Sequence, residues 1–127
     1  MAIVKTTKPT EGELEILQVL WGKEKATVRE VFEEISQFKE SGYTTTLKLM
    51  QIMFEKGLVS RDDSNRTHIY TPAVTREKTQ KQLLNKMVAT LFGGSSSQLV
   101  MQALGTQTAT PKELEEIQQL LDNLKNK

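Results

Sequence analysis

The sequence predicts a mainly α-helical protein with one small β-hairpin, and two observations support this fold class. First, a hydroxyl residue followed by Glu or Gln three positions later precedes an apolar stretch of helical periodicity at four places, namely Thr10–Glu13, Thr27–Glu30, Ser95–Gln98 and Thr110–Glu113. Such capping boxes mark the starts of helices. Second, two short β-prone runs surround the turn-rich sequence DDSN, a pattern typical of a hairpin.

The first two helices are predicted to be short and amphipathic. The first covers about residues 11–21, and Gly22 is expected to end it. Acidic residues crowd its first turns, where the helix dipole favours negative charge. The second covers about residues 28–36, and a polar connector that contains Gly42 follows it.

The third helix is predicted over residues 44–56 and is expected to end at Gly57, since glycine favours the left-handed conformation of a C-terminal cap. A spacing of 100° per residue places Thr46, Met50 and Met53 on a core-facing side. The other side is predicted to be exposed and holds Thr44, Thr45, Leu47, Lys48, Gln51, Ile52 and Glu55. Thr44 is expected to be an N-cap, a ligand of a partner, or both.

The hairpin is predicted over residues 58–71, with strands at 58–61 and 67–71, and Pro72 ends the second strand. Arg61 and Arg66 flank its tip. They either contact phosphates or belong to a solvated hairpin end whose charge the neighbouring aspartates reduce.

Three short helices followed by a two-stranded hairpin is the element order of a winged helix-turn-helix, which we predict for residues 1–74. In that fold the last of the three helices enters the DNA major groove and the hairpin forms the wing. A small α+β domain that binds protein, or nothing, has the same order of elements. Hydroxyl, amide and ammonium groups bond to base edges and phosphates, and aliphatic side chains pack on thymine methyls. The residues predicted to contact DNA are Thr44, Thr45, Leu47, Lys48, Gln51, Arg61 and Arg66.

Residues 75–127 are predicted to form a three-helix dimerisation region. One helix covers about residues 76–92, GGSSS separates it from a brief second helix, and the last begins after Thr110 with Pro111 in its first turn. Three helices in so short a segment can bury few side chains among themselves. The apolar stripe therefore requires a facing surface, either a second copy or the winged helix of the same chain. The stripe consists of Leu84, Met87, Leu91, Leu99, Leu114, Ile117, Leu121 and Leu124.

Composition narrows the function classes. The net charge of +1 does not by itself indicate nucleic-acid binding, so that prediction depends on where the charges lie. The chain has no Cys and a single histidine, His68, which leaves too few ligands for a typical zinc site. No phosphate-binding loop or dinucleotide motif is present. We therefore expect no enzyme activity, no cofactor and no small-molecule substrate. The absence of an apolar leader or membrane span predicts a cytoplasmic protein. A winged-helix adaptor that binds protein instead of DNA is the alternative function.

Five segments, in order, resemble the penicillinase and methicillin-resistance repressors, the BlaI/MecI family. These are KPTEGELEILQVLW, TVREVFEEI, YTTTLKLMQIMFEKGLV, RTHIYTPAV and LFGGSSSQLVMQAL. The resemblance implies a bacterial repressor with an N-terminal winged helix and a C-terminal dimerisation region, bound as a dimer to a palindromic operator. It also implies that a membrane metalloprotease-sensor triggers cleavage of the repressor and so derepression.

The chain departs from the family pattern at three places. Leu47 occupies a position where basic or amide residues are frequent, and Ile52 one where Arg is common. Both changes predict a different operator preference or affinity. The family is cut within an Asn-Phe pair, and Gln102 and Ala103 occupy that cleavage region here. A C-terminal cysteine motif of copper-responsive relatives has no counterpart in this chain.

Overall fold

The computed structural model describes residues 8–127. In this part of the chain the elements are α1 (Glu11–Lys23), α2 (Val28–Ile35), α3 (Tyr43–Lys56), β1 (Val59–Asp62), β2 (Ile69–Pro72), α4 (Arg76–Leu91), α5 (Ser96–Thr106) and α6 (Pro111–Lys125). This confirms a mainly helical fold with one hairpin. The chain divides into two compact units, of which the first ends at Leu83 and the second runs from Leu84 to Lys127.

Capping boxes start α1 and α2 as predicted. In α1 the Thr10 hydroxyl accepts from Glu13 N at 3.3 Å, and Thr10 N donates to Glu13 Oε1 at 2.9 Å. The prediction that Gly22 ends this helix was wrong. The helix continues through Gly22 to Lys23, and Glu24 ends it with φ 74° and ψ −39°. The helix extends past Gly22 because the helical backbone bonding continues as far as Glu24, whose N donates to Leu20 O at 2.7 Å.

The third helix begins one residue earlier than predicted, and the expectation that Thr44 is its N-cap was wrong. Gly42 occupies that position in an extended conformation, without a side-chain cap, and its carbonyl oxygen accepts from Thr46 N at 3.2 Å. Thr44 therefore lies inside the first turn. At the other end Gly57 adopts φ 83°, a conformation that favours glycine, and closes the helix as predicted.

The two strands pair antiparallel, with Val59 opposite Pro72 and Asp62 opposite Ile69. An isolated bridge adds the segment before α2 to this hairpin: Tyr70 N donates to Ala26 O at 2.8 Å, and Ala26 N donates to Tyr70 O at 3.0 Å. The hairpin is thus fixed to the helices on which it packs.

The core of the first unit lies between the three helices and the hairpin. It consists of Ile16, Leu17, Leu20, Ala26, Val28, Val31, Ile35, Met50, Met53, Leu58, Val59 and Tyr70. Burial of each large side chain contributes about 1.5–3 kcal/mol relative to exposure. Trp21 extends this packing to the segment before α4, since its Nε1 donates to Val74 O at 2.9 Å.

The second unit has no buried side chain in the single chain, and the structure describes all of its residues. Gly93 and Gly94 adopt positive φ and separate α4 from α5, as the GGSSS sequence predicts. A complete capping box at Thr110 starts α6. At α5 the Ser95 hydroxyl accepts from Gln98 N at 3.2 Å. Between residues 8 and 127, no helix has the length and apolar character needed to cross a membrane.

Candidate nucleic-acid interface

One side of α3 is polar and exposed. Thr44, Thr45, Lys48 and Gln51 are all exposed there, whereas Thr46, Met50 and Met53 are buried on the opposite side. The helical period accounts for this division, since the exposed residues recur three or four positions apart. Hydroxyl, ammonium and amide groups thus share one face, which is the chemistry needed to bond to base edges and phosphates.

The two aliphatic residues predicted on the exposed side of α3, Leu47 and Ile52, differ in exposure. Leu47 is half-buried and packs against the core, so only part of its side chain is accessible. Ile52 is 41% exposed, which leaves its side chain available for contact with a partner. Of the two, Ile52 is the residue that presents an apolar surface beside Lys48.

A groove of about 340 Å³ lies between α2, α3 and the hairpin, and we call it the α2–wing groove. Three elements supply its lining: Arg29 from α2; Tyr43, Leu47 and Gln51 from α3; and Arg66 and His68 from the hairpin. Among the described residues that line it, none is Asp or Glu. The structure thereby brings Leu47 and Gln51 of the predicted recognition helix and Arg66 of the predicted wing to one cationic concave surface.

Arg29 and Tyr43 are two groove residues that sequence reasoning missed. The Arg29 guanidinium lies 5.0 Å from the centroid of the Tyr43 ring, a cation–π contact. Tyr43 in turn meets Phe32 edge-on, with ring centroids 5.7 Å apart and planes at 78°. The only sequence signal was that Arg29 follows the Thr27 cap on a short helix. The pairing with Tyr43 is tertiary and leaves no periodic pattern.

Arg61 is placed differently from Arg66. Its guanidinium lies 4.1 Å from the centroid of the Phe54 ring on α3, and Nη2 lies 3.6 Å from Asp63 Oδ2. Only 21% of its side chain is exposed, and Nε is buried without a hydrogen-bond partner in the described chain. Arg61 therefore joins β1 to α3, whereas Arg66 is exposed in the α2–wing groove.

The tip of the hairpin is a short turn held by Asp62. Its Oδ1 accepts from the Ser64 hydroxyl at 2.7 Å and from Ser64 N at 3.0 Å. These two bonds, the hydroxyl bond first, lower the pKa of the Asp62 carboxyl below its usual value. The aspartate is thus used to order the turn between β1 and Arg66.

The residues predicted for dimerisation are accessible in the single chain. Six of them are exposed large hydrophobic side chains, and Leu99 and Ile117 are half-buried. Gln102 and Ala103 are exposed in the middle of α5. Within residues 8–127, no three His, Cys, Asp or Glu side chains are grouped so that they could hold a metal ion.

The model of the family described as "Penicillinase repressor" matches residues 9–123. The penicillinase repressor of Staphylococcus aureus is 26% identical over 127 residues, covering 97% of this chain and 98% of that protein. The methicillin resistance regulatory protein MecI of Staphylococcus aureus strain N315 is 25% identical over 93% of this chain and 96% of its own length. The transcriptional regulator BlaI of Mycobacterium tuberculosis is 28% identical over 78% of this chain and 72% of its own.

Among solved structures, the solution structure of the DNA binding domain of the repressor BlaI superposes with a TM-score of 0.51 at 22% identity. It covers 60% of this chain and 90% of that domain, and the likeness shows the winged-helix fold. The relatives are repressors and not enzymes, which confirms the expectation that this protein is not an enzyme. The chain belongs to the penicillinase repressor family of transcriptional repressors.

Proposed function

We propose that this protein represses transcription by binding a palindromic DNA operator as a homodimer. In this proposal α3 is the recognition helix and lies in the major groove, and the hairpin is the wing that follows the DNA backbone. The observation that carries the proposal is the exposed polar face of α3, which adjoins the cationic α2–wing groove.

Each predicted residue has a role in this proposal. Thr44, Thr45, Lys48 and Gln51 bond to base edges or phosphates in the major groove. Leu47 and Ile52 contribute apolar contacts, the first along the groove wall and the second with a thymine methyl. Arg66 contacts a backbone phosphate.

We assign Arg61 mainly to holding the wing against α3, because its guanidinium is already stacked on Phe54 and close to Asp63. It thereby positions the wing, and Arg66 with it, for contact with the DNA backbone. This differs from the direct phosphate contact predicted from its place beside the hairpin tip.

A second copy of the chain is the proposed partner of the apolar stripe on the second unit. Leu91, Leu121 and Leu124 are 71%, 42% and 53% exposed, and so many exposed large apolar side chains on one small unit favour burial against a partner. Their burial between two copies would supply the core that the unit lacks. A two-fold dimer presents two recognition helices to half-sites about one helical turn apart, or a multiple of it, so the operator is a palindrome.

We further propose that a signal-dependent event, such as cleavage by a membrane metalloprotease-sensor, releases the repressor from DNA in the bacterial cytoplasm. The proposed site is the bond between Gln102 and Ala103. Both residues are exposed, but they lie within α5, so a protease must first open the helix locally. Cleavage there would separate α6 from the rest of the chain and remove part of the apolar stripe.

The experiment that tests this function is a fluorescence anisotropy titration with duplex DNA from upstream of the protein's own gene. The matched control duplex has the same composition with its palindrome scrambled. Sub-micromolar binding to the intact palindrome alone is the expected result. Equal affinity for both duplexes would contradict the proposal that the protein recognises a palindromic operator.

A further inference from the structure

We propose that the α2–wing groove binds one backbone phosphate in each operator half-site, with Arg29 as its principal ligand. This rests on the proposed function, because it requires α3 to lie in the major groove. It assigns a DNA contact to α2, an element in which the sequence predicted none.

The charge of the groove favours a phosphate. Two guanidinium groups, those of Arg29 and Arg66, line it from opposite elements, and its described lining contains no carboxylate. A second groove, on the side of α2 that faces α1, shows the contrast, since Lys23 is there accompanied by Glu30, Glu33 and Glu34. With a net charge of only +1, the positive charge of the α2–wing groove comes from the placement of residues and not from composition.

Arg29 is held in place before DNA arrives. Its stack on Tyr43, which Phe32 supports edge-on, restricts the guanidinium to one region of the groove. It takes part in none of the four ion pairs found among residues 8–127. A stacked guanidinium retains N–H donors at its edge, which match two oxygens of one phosphate.

The position of the groove agrees with the path of a DNA strand. Leu47 and Gln51 form its wall on the α3 side, so it opens directly beside the recognition face. In helix-turn-helix proteins the helix before the recognition helix crosses the DNA backbone. A strand that bounds the major groove around α3 would therefore pass over the start of α2 and reach Arg29.

The test compares Arg29→Met with Arg76→Met on the intact palindromic duplex. Arg76 is a matched control, because its guanidinium also lies over an aromatic ring, that of Trp21 at 5.7 Å, but outside the groove. Arg29→Met should bind at least about tenfold more weakly, the size of a charge-assisted hydrogen bond. The slope of log affinity against log salt should become less negative by about 0.9 for each of the two grooves in a dimer. Arg76→Met should keep the wild-type affinity and slope.

Operator duplexes with a single uncharged methylphosphonate at successive backbone positions identify the phosphate. At one or two adjacent positions the wild type should lose about half of the binding free energy that Arg29→Met loses on unmodified DNA, because one methylphosphonate affects only one of the two half-sites. Arg29→Met should lose nothing further there. Arg29→Lys, which keeps the charge but not the planar fork, should retain the salt slope with intermediate affinity. Thermal melting of each variant establishes that it is folded.

Equal affinity of folded Arg29→Met and wild type would overturn the assignment of Arg29, as would equal sensitivity of both proteins to every methylphosphonate. In either case the proposed function stands if the wild type still prefers the palindrome. If the wild-type protein itself showed no preference for the palindrome, the proposed repressor function and the phosphate contact would both be contradicted.

Discussion

Lys56 Nζ lies 2.6 Å from Glu13 Oε1, and this ion pair joins the last turn of α3 to the first turn of α1. The side chains are 18% and 2% exposed. The same carboxylate oxygen accepts from Thr10 N and so completes the capping box of α1. One buried carboxylate therefore starts the first helix and fixes the end of the proposed recognition helix.

The first prediction concerns the stability that this pair provides. Lys56→Ala should lower the free energy of unfolding by about 3 kcal/mol, because it leaves the Glu13 carboxylate buried without its partner. Lys39→Ala is the control. Lys39 pairs at 2.7 Å with Glu15, which lies on α1 like Glu13, but the Lys39 side chain is 45% exposed. Lys39→Ala should lower the free energy of unfolding by less than about 1 kcal/mol. Urea denaturation measures both, and similar losses would show that the buried pair has no special role.

The second prediction separates the roles of the two wing arginines. Arg61→Lys keeps the charge but loses the planar stack on Phe54, so it should lower the free energy of unfolding by about 1 kcal/mol and also weaken DNA binding. Arg66→Lys should change stability little, because Arg66 is exposed. Urea denaturation and anisotropy titration test both variants. If Arg61→Lys matches the wild type in both assays, while Arg61→Ala loses only affinity, Arg61 contacts phosphate directly.

The third prediction locates the recognition surface on α3. Lys48→Ala should weaken operator binding by about 5- to 150-fold, the range for loss of one specific contact. Lys39→Ala removes the same charge from the segment between α2 and α3, where Lys39 pairs with Glu15 of α1, and should have a much smaller effect. Anisotropy titrations at one salt concentration compare them. Equal effects would place the DNA on another surface.

The fourth prediction concerns the dimer. Leu121→Glu places a charge in the apolar stripe of α6 and should shift the protein to monomers, because a buried unpaired carboxylate is costly. Gln119→Glu introduces the same group on the same helix outside the stripe and should leave the dimer intact. Sedimentation equilibrium gives the mass of each. A wild-type monomer, or a dimeric Leu121→Glu protein, would contradict the proposed interface.

Most helix starts could be predicted from sequence because their cause is local. The capping boxes at Thr10, Thr27 and Thr110 are formed by residues three positions apart, and all three are complete in the structure. The errors concern the end of α1 and the start of α3. Gly22 remains helical because the backbone bond that ends α1 is made two residues later, by Glu24. Gly42 rather than Thr44 starts α3, because the Gly42 carbonyl already accepts the first helical bond, from Thr46 N, and Thr44 lies inside that first turn.

The candidate site was predicted only as far as helical periodicity extends. The period of α3 separated Lys48 and Gln51 from Met50 and Met53, and the structure has the same division. The contacts of Arg29 with Tyr43 and of Arg61 with Phe54 join different elements. Neither follows from spacing along the chain, because each depends on how the helices and the hairpin pack together.

The most direct test of the central claim is the salt dependence of operator binding by the wild-type protein. Affinity for the intact palindrome and for random DNA is measured by anisotropy at several salt concentrations between about 50 and 200 mM. The account predicts a preference for the palindrome at every concentration, and a linear fall of log affinity with log salt whose slope is about −0.9 times the number of phosphates neutralised. Binding that is insensitive to salt, or equal for the palindrome and random DNA, would contradict it.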